Sequence, residues 1–340
     1  MALVCPIVSI YTVTKFMKAI VYTKYGSPNV LRLVEIEKPM PTANEVLVRI
    51  HATTVNRTDC ATIRAKPFFM RIITGLLRPK KQIPGTACAG KVEAIGEDVS
   101  SFKPGDKVFG FNDQGIKAHA QYTAVSENNI FAMPDAIPYE QAAASCEGFH
   151  YAYNFIKKVS LEKGQNVLLN GAAGAIGSAA VQLLNYFAVN VTAVCATRHI
   201  DLERSLGASR VIDYTKVDFT KDAQRYDFVL DAVGKSSFFK CKPLLQTGGI
   251  YISSDLGYLA QNLILPVITS VVKPLLGNRR SVFPNPTDIR GSMLLIKKLM
   301  EQKKFKAVID KTYPLGQIVE ASNYDEKGHK TGNVVITVDA

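Results

Sequence analysis

The stretch Gln165 to Phe187, QNVLLNGAAGAIGSAAVQLLNYF, runs a strand, a glycine turn and an amphipathic helix together without a spare residue. Val167, Leu168 and Leu169 make the short apolar run of a buried parallel strand, and Ile176, Ala179, Ala180, Leu183, Leu184 and Phe187 then recur at helical spacing. Period two gives way to period 3.6 at the glycines. Gly174 lets the backbone come close to a pyrophosphate, Gly177 lets the helix pack on the strand, and the helix N-terminus offers free N–H groups and positive dipole. Ala173, Gly174, Ala175, Ile176 and Gly177 are therefore the candidate phosphate-binding residues, although Ala172 stands where the usual fingerprint has its first glycine. The competing reading is a strand-to-helix turn with only a structural role.

The next strand, VNVTAVCAT over residues 189 to 197, chooses between cofactors. A site for NADH ends this strand with Asp or Glu to hold the ribose 2′-hydroxyl. Here it ends Ala196-Thr197-Arg198, and a planar guanidinium beside a hydroxyl suits a 2′-phosphate, so the expected cofactor is NADPH. Asp201 falls later, at the opening of DLERSLGA, where an acid reads as a helix cap or first-turn residue. A solvated surface charge is the alternative for Arg198.

Composition narrows the class. With 340 residues, 47% of them hydrophobic and 21% charged, the chain has room for two domains and an ordinary soluble core. The charge of +12 is scattered in short clusters such as Arg78 to Lys81 without interleaved aromatics, which argues against nucleic acid and suits a polyanionic cofactor. Six cysteines without CxxC spacing read as reduced thiols, and hence a cytoplasmic protein. Residues 1 to 16 lack the features of a signal peptide and read as an extension outside the fold. The apolar segment 259 to 277 carries Gln261, Asn262, Lys273 and two prolines, too many interruptions for a membrane span. Core or interface packing is its default reading, with peripheral membrane association left open.

Short strands separated by turn residues dominate up to Val125: Lys18 to Tyr22, Val30 to Glu37, Glu45 to Ala52, Lys91 to Ile95, Lys107 to Phe109 and Tyr122 to Val125. They suit a curled, barrel-like antiparallel domain. Pro138 opens a helical stretch, and from Gln165 strands at 166 to 170, 190 to 195, 210 to 213, 227 to 231 and 249 to 253 alternate with helices. That is a doubly wound parallel sheet. The helix IRGSMLLIKKLMEQ and the closing strand NVVITV need partners, which the first domain supplies, so the nucleotide domain is expected to be an insertion. The division reads 17–137 and 284–340 for one domain and 138–283 for the other.

MKAIVYTKYGSPNVLRLVEIEKPMPTANEVLVRI, IPGTACAGKVEAIGEDVSSFKPGDKVFGF and NGAAGAIGSAAVQLL, in this order, resemble the medium-chain dehydrogenase/reductase superfamily, in its zinc-free quinone oxidoreductase branch. The resemblance runs from about Met17 to Val338. It implies an α/β protein with a GroES-like β-barrel catalytic domain and an inserted Rossmann domain, a homodimer, and hydride transfer from NADPH to a quinone or enone without a covalent enzyme intermediate. Zinc-dependent members of the superfamily have ligands where this chain has Asn56, Thr86-Ala87 and a residue near Glu147. One carboxylate with neutral oxygens cannot make a catalytic zinc site, so no metal is expected. Reduction of a simple aldehyde builds a localised alkoxide that wants a Lewis acid. A quinone or enone instead yields a delocalised phenolate or enolate, for which hydrogen-bond donors suffice.

VNRTD, residues 55 to 59, resembles the Asn-x-x-Asp motif of this branch, which implies Asn56 as oxyanion donor with Asp59 bracing it. An Asx turn opening a helix is the bland alternative. Tyr151 lies where relatives have threonine near the nicotinamide and becomes a candidate catalytic phenol. The resemblance adds Tyr214, Gly234, Ser253 and Asn333 along the cofactor. A zinc-independent alcohol or aldehyde oxidoreductase and a non-catalytic NADPH-binding sensor or partner protein remain as rival readings.

Overall fold

The computed structural model describes residues 15–68, 70–255 and 261–339. Most of the extension 1 to 16 therefore lies outside the described residues. Phe16 does not belong to it, because it already pairs with Glu37.

Alternating apolar residues build the first half as strands: β1 (Phe16–Val21), β2 (Arg32–Glu37) and β3 (Glu45–Val55). Two helices follow, α1 (Arg57–Arg64) and the short α2 (Met70–Thr74). Strands β4 (Ala87–Ile95), β5 (Lys107–Phe111), β6 (Tyr122–Ser126) and β7 (Ile130–Ala132) complete this half. The long helix α3 (Tyr139–Lys157) then leads into β8 (Asn166–Asn170), α4 (Ala175–Tyr186), β9 (Asn190–Cys195), α5 (Ile200–Ser205), β10 (Arg210–Asp213) and β11 (Tyr226–Asp231). After α6 (Phe238–Cys241) come β12 (Leu245–Ser253), α7 (Gln261–Val271) and β13 (Arg280–Val282). The chain ends with α8 (Ile289–Glu301), β14 (Ile309–Pro314), α9 (Ile318–Glu326) and β15 (Asn333–Thr337).

Strands β8 to β13 form a six-stranded sheet in the order β10-β9-β8-β11-β12-β13, parallel throughout. The order reverses between β8 and β11, and α4 starts at the C-terminal end of β8. Open parallel sheets bind ligands at such a switch point. The other large sheet runs β14-β15-β3-β4-β5-β7 with β6 on β3, antiparallel except for β14 on β15. Its C-terminal strand pairs with β3, Val334 opposite Val55 and Ile336 opposite Thr53. The expected return of the chain end to the first sheet is thus a hydrogen-bonded ladder.

Helix α3 ties the two sheets together. Its buried face, including Ala143, Cys146, Phe149, Ala152 and Phe155, packs with Phe109 and Phe111 of β5 and with Leu169 and Leu183 of the nucleotide-type half in one core. Burying each large side chain here is worth about 1.5–3 kcal/mol, so the seam between the halves is a core in its own right. The three strands beyond the expected set, β7, β13 and β14, are short or half exposed.

Among the described part of the apolar segment, α7 keeps Pro266 inside it and exposes Leu263, Ile264, Val267, Ile268 and Val271. No helix among the described residues is long and apolar enough to cross a membrane.

Candidate active site

Two structures meet at the switch point. The first is the glycine turn. Gly171 takes the left-handed φ of 81° that the missing first glycine would otherwise supply, so Ala172 can remain an alanine in the core. A Cβ on Gly177 would lie 2.2 Å from the Gly171 carbonyl oxygen, which is why that position must be bare for α4 to seat on the turn. Gly174 is the N-cap of α4 and makes no side-chain cap, so the first N–H groups of the helix face the cleft unpaired by the helix itself. A Cβ on Gly174 would meet only the Gly171 oxygen at 3.7 Å, leaving open space where a phosphate can approach.

That space continues as a cleft of about 590 Å³ lined by Asn170, Ala173, Gly174, Arg198, Tyr214 and Thr215, with Lys216, Lys235 and Lys330 adding positive charge. Four cations around a helix N-terminus fit a dinucleotide carrying an extra phosphate. The cleft therefore suits the expected cofactor. Arg198 sits at the mouth, its Nε donating to His199 Nε2 (3.2 Å) and its Nη2 to the His329 carbonyl (2.9 Å). Burial lowers the His199 pKa, with Arg198 acting in the same direction, so the ring is a neutral imidazole whose Nε2 accepts the Arg198 Nε hydrogen. Tyr214 is 57% exposed on the same rim. Thr197 is engaged elsewhere, donating its hydroxyl to Asp213, whose pKa is lowered chiefly by that bond. Asp201 lies in the first turn of α5, as an acid at that place in the sequence suggests.

The loop after β11 is shaped by Asp231. This buried carboxylate accepts hydrogen bonds from the N–H groups of Val233, Gly234 and Ser236, from Asn170 Nδ2 and from the Tyr251 hydroxyl. Gly234 adopts a φ of 65° within it. Ser253 is buried at the end of β12, its Oγ accepting from the Asp255 N–H (3.3 Å). Asn333 donates to the Val308 carbonyl at 3.0 Å and so faces its own sheet. The residues just before it reach the turn instead, since the Gly332 N–H donates to the Ala173 carbonyl at 2.7 Å.

The second structure is the N-terminus of α1. Asn56 is its cap: Oδ1 accepts from the Asp59 N–H and Nδ2 donates to Thr86 Oγ1, both at 2.8 Å. One Nδ2 hydrogen remains. The Asx turn is therefore real, but Asn56 supplies the side chain and Asp59 the backbone. Asp59 does not brace Asn56 with its carboxylate, which instead accepts from the Gly85 N–H at 3.2 Å and stands 3.9 Å from His119. Burial raises Asp59 to about 8 and lowers His119 to about 4. Tyr151 donates its hydroxyl to Asp113 at 2.9 Å, and burial together with that carboxylate raises its pKa well above the ordinary range. Thr58 donates to Glu147 at 2.7 Å.

Helix α3 links the two: Glu147 accepts from Thr58 on α1, and the next residue, Gly148, packs against Ala175 at the start of α4. Asn170, Asp231, Lys330 and the segment 328 to 331 were not legible as site residues in the sequence. Only the cations among them left a trace there, as part of an unassigned positive charge.

The chain matches an alcohol dehydrogenase GroES-like domain over residues 42–135 and a zinc-binding dehydrogenase domain over residues 206–336. It is 30% identical to the chloroplastic quinone-oxidoreductase QR1 of Triphysaria versicolor, over 95% of this chain and 98% of that one. It is also 30% identical to the chloroplastic NADPH-dependent alkenal/one oxidoreductase of Arabidopsis thaliana, over 96% of this chain and 80% of that one. Among solved structures, the quinone oxidoreductase of Coxiella burnetii superposes with a TM-score of 0.84 at 26% identity, over 96% of this chain and all of that one.

Proposed function

The chain belongs to the quinone oxidoreductase branch of the medium-chain dehydrogenase/reductase superfamily, and on that premise we propose an NADPH-dependent reductase of quinones and α,β-unsaturated carbonyls that works without a metal. When bound, the dinucleotide supplies hydride to the electron-poor carbon of the acceptor. The turn Ala173 to Gly177 and the N-terminus of α4 hold its pyrophosphate, and Arg198 with the rim residue Tyr214 meets the 2′-phosphate end.

One observation carries the reading at the acceptor end. Asn56 and Thr86 hydrogen-bond to one another at 2.8 Å, a pair of uncharged groups where zinc-dependent relatives would need a thiolate and an imidazole. The second Nδ2 hydrogen of Asn56 is free to donate to an oxygen that gains charge, and the cap fixes its direction. A preorganised donor of this kind suffices for a delocalised phenolate or enolate, whereas a localised alkoxide needs a stronger Lewis acid. Asp59 holds the Gly85 loop beside it through the Gly85 N–H.

Stopped-flow oxidation of NADPH with a panel of quinones, enones and simple aldehydes tests the proposal, using enzyme treated with a chelator and assayed for zinc. Turnover of quinones or enones by the metal-free protein is the expected result. Activity confined to simple alcohols or aldehydes supports the alcohol dehydrogenase alternative, and tight NADPH binding with no turnover supports a sensor.

For assembly we propose a homodimer, supported by the edge position of β13 and the exposed apolar face of α7 beside it. Light scattering of the purified chain tests it. A cytosolic address rests on the five described cysteines, all free and buried. Both plant relatives are chloroplastic, so imaging of the tagged full chain decides between these compartments.

A further inference from the structure

Reduction of an enone needs a proton as well as a hydride, and the residues so far placed hold the oxyanion without supplying one. Helix α3 approaches the glycine turn so closely that a Cβ on Gly148 would lie 2.5 Å from the Ala175 carbonyl oxygen at the start of α4. That contact brings the preceding residue, Glu147, into the seam between the cofactor cleft and α1. Its side chain accepts the hydroxyl hydrogen of Thr58, two residues beyond Asn56, at 2.7 Å. It also feels the charge of Lys330, which lines the cofactor cleft. Glu147 thus lies between α1 and the start of α4 while remaining buried.

The groups that face it are Thr58 and Asp59 on α1, Asp113 in the loop after β5, Tyr151 on its own helix and Lys330 ahead of β15. Two acids oppose one cation, and Lys330 is already paired with Asp325. Burial is the largest influence on Glu147 and raises its pKa to about 8, so the carboxyl carries a proton at neutral pH. Tyr151 is a poorer donor, because its hydroxyl hydrogen is committed to Asp113 at 2.9 Å.

We propose that Glu147 is the proton source for the reduced acceptor, an inference that rests on the reductase reading above. The hydride brings two electrons to the β-carbon of the enone, and the former C=C pair becomes an enolate held by Asn56. The O–H bond of Glu147 then breaks towards oxygen as its proton forms the new C–H bond at the α-carbon. The enone is reduced, the dinucleotide is oxidised, and the Glu147 carboxylate regains its proton from solvent. A quinone makes less demand on this group, since its phenolate product, with a pKa of about 10, takes protons from water.

Glu147→Gln keeps the shape and an acceptor for Thr58 while removing the acid. The expected result is a fall in kcat for enones of about 10²–10⁴-fold, a fall of less than about tenfold for quinones, and unchanged NADPH affinity. In the wild type, enone kcat should decline as pH rises through about 8, and Glu147→Gln should lack that decline. Thr58→Val removes a hydrogen bond that favours the carboxylate, so it should move the decline to higher pH, a shift that mere loosening of the fold would not give. Infrared difference spectroscopy of the protein without cofactor, wild type minus Glu147→Gln, supplies a reading independent of turnover: a carboxylic-acid band at neutral pH that belongs to Glu147 and not to Asp59, which both proteins keep. Wild-type enone kcat and pH profile in Glu147→Gln, or the absence of that band, overturns the proposal. A wild-type protein that shows the band but reduces no acceptor overturns the reductase reading itself and this role with it.

Discussion

Two alanine substitutions in the same turn should fail in opposite ways. At Gly177 a Cβ would lie 2.2 Å from the Gly171 oxygen and 2.4 Å from the Ala172 oxygen, both backbone atoms that no rotamer change can move. Overpacking of this kind costs about 1–3 kcal/mol, and the better helix propensity of alanine returns up to about 1 kcal/mol. A net loss of about 1–2 kcal/mol lowers Tm by about 2–8 °C for a domain of this size. At Gly174 the φ of −78° is open to any residue and the new methyl meets only one atom, at 3.7 Å. Gly174→Ala should therefore keep the wild-type Tm, within about 2 °C, while its methyl fills the space reserved for the pyrophosphate. Displacing the phosphates from the helix N-terminus by even part of an ångström loses one or two charge-assisted hydrogen bonds. At about 1.5–3 kcal/mol, that weakens NADPH about 10- to 100-fold. Thermal unfolding without cofactor and fluorescence titration with NADPH measure the two quantities separately. If Gly174→Ala binds NADPH like the wild type, the turn is structural and the cofactor lies elsewhere. If Gly177→Ala is as stable as the wild type, the account of how α4 seats is wrong.

Three further outcomes follow from the site. Arg198→Ala should weaken NADPH about 10- to 100-fold and leave NADH unaffected; competition titrations with both cofactors check it, and an unchanged preference removes Arg198 from the 2′-phosphate. Asn56→Ser keeps a capping oxygen for α1 but deletes the Nδ2 donor, so quinone kcat should fall about 10²–10³-fold with less than about 1 kcal/mol lost in stability. An unaltered rate would exclude Asn56 as the oxyanion donor. Asp59 has a folded pKa raised to about 8 by burial, so its contribution to stability is full below its unfolded pKa of about 3.9 and is lost as pH rises towards 8. Asp59→Asn, which still accepts from Gly85, should accordingly lose less stability than the wild type between pH 5 and pH 8. Parallel denaturation curves for the two proteins at both pH values would contradict that assignment.

What could be read from the sequence was local. The glycine turn, α3 opening after Pro138, and the central strands announce themselves by spacing and composition within a few residues. Strand β14 does not, because IDKTYP carries two consecutive charges and buries only Tyr313, and β7 and β13 have three residues each. The VNRTD motif was legible as the opening of a helix, whereas the brace expected of Asp59 was not found: Asn56 caps α1 with its side chain and Asp59 contributes its N–H. Residues far apart in the chain escaped altogether. The segment around His329 reaches Arg198 across 131 positions, and Asp231 gathers its donors from three separate elements. Periodicity reports which face of an element is buried, and it does not report which loops that burial brings together.

A reductase of this kind must transfer hydride directly to a conjugated acceptor at this seam. Single-turnover reduction of an enone with NADPH deuterated at the transferable position of C4, followed by mass and NMR analysis of the product, tests it most directly. One deuterium at the β-carbon of every product molecule, with the α-hydrogen taken from solvent, is the predicted result. Product without β-deuterium, or NADPH oxidation with no product at all, would contradict it.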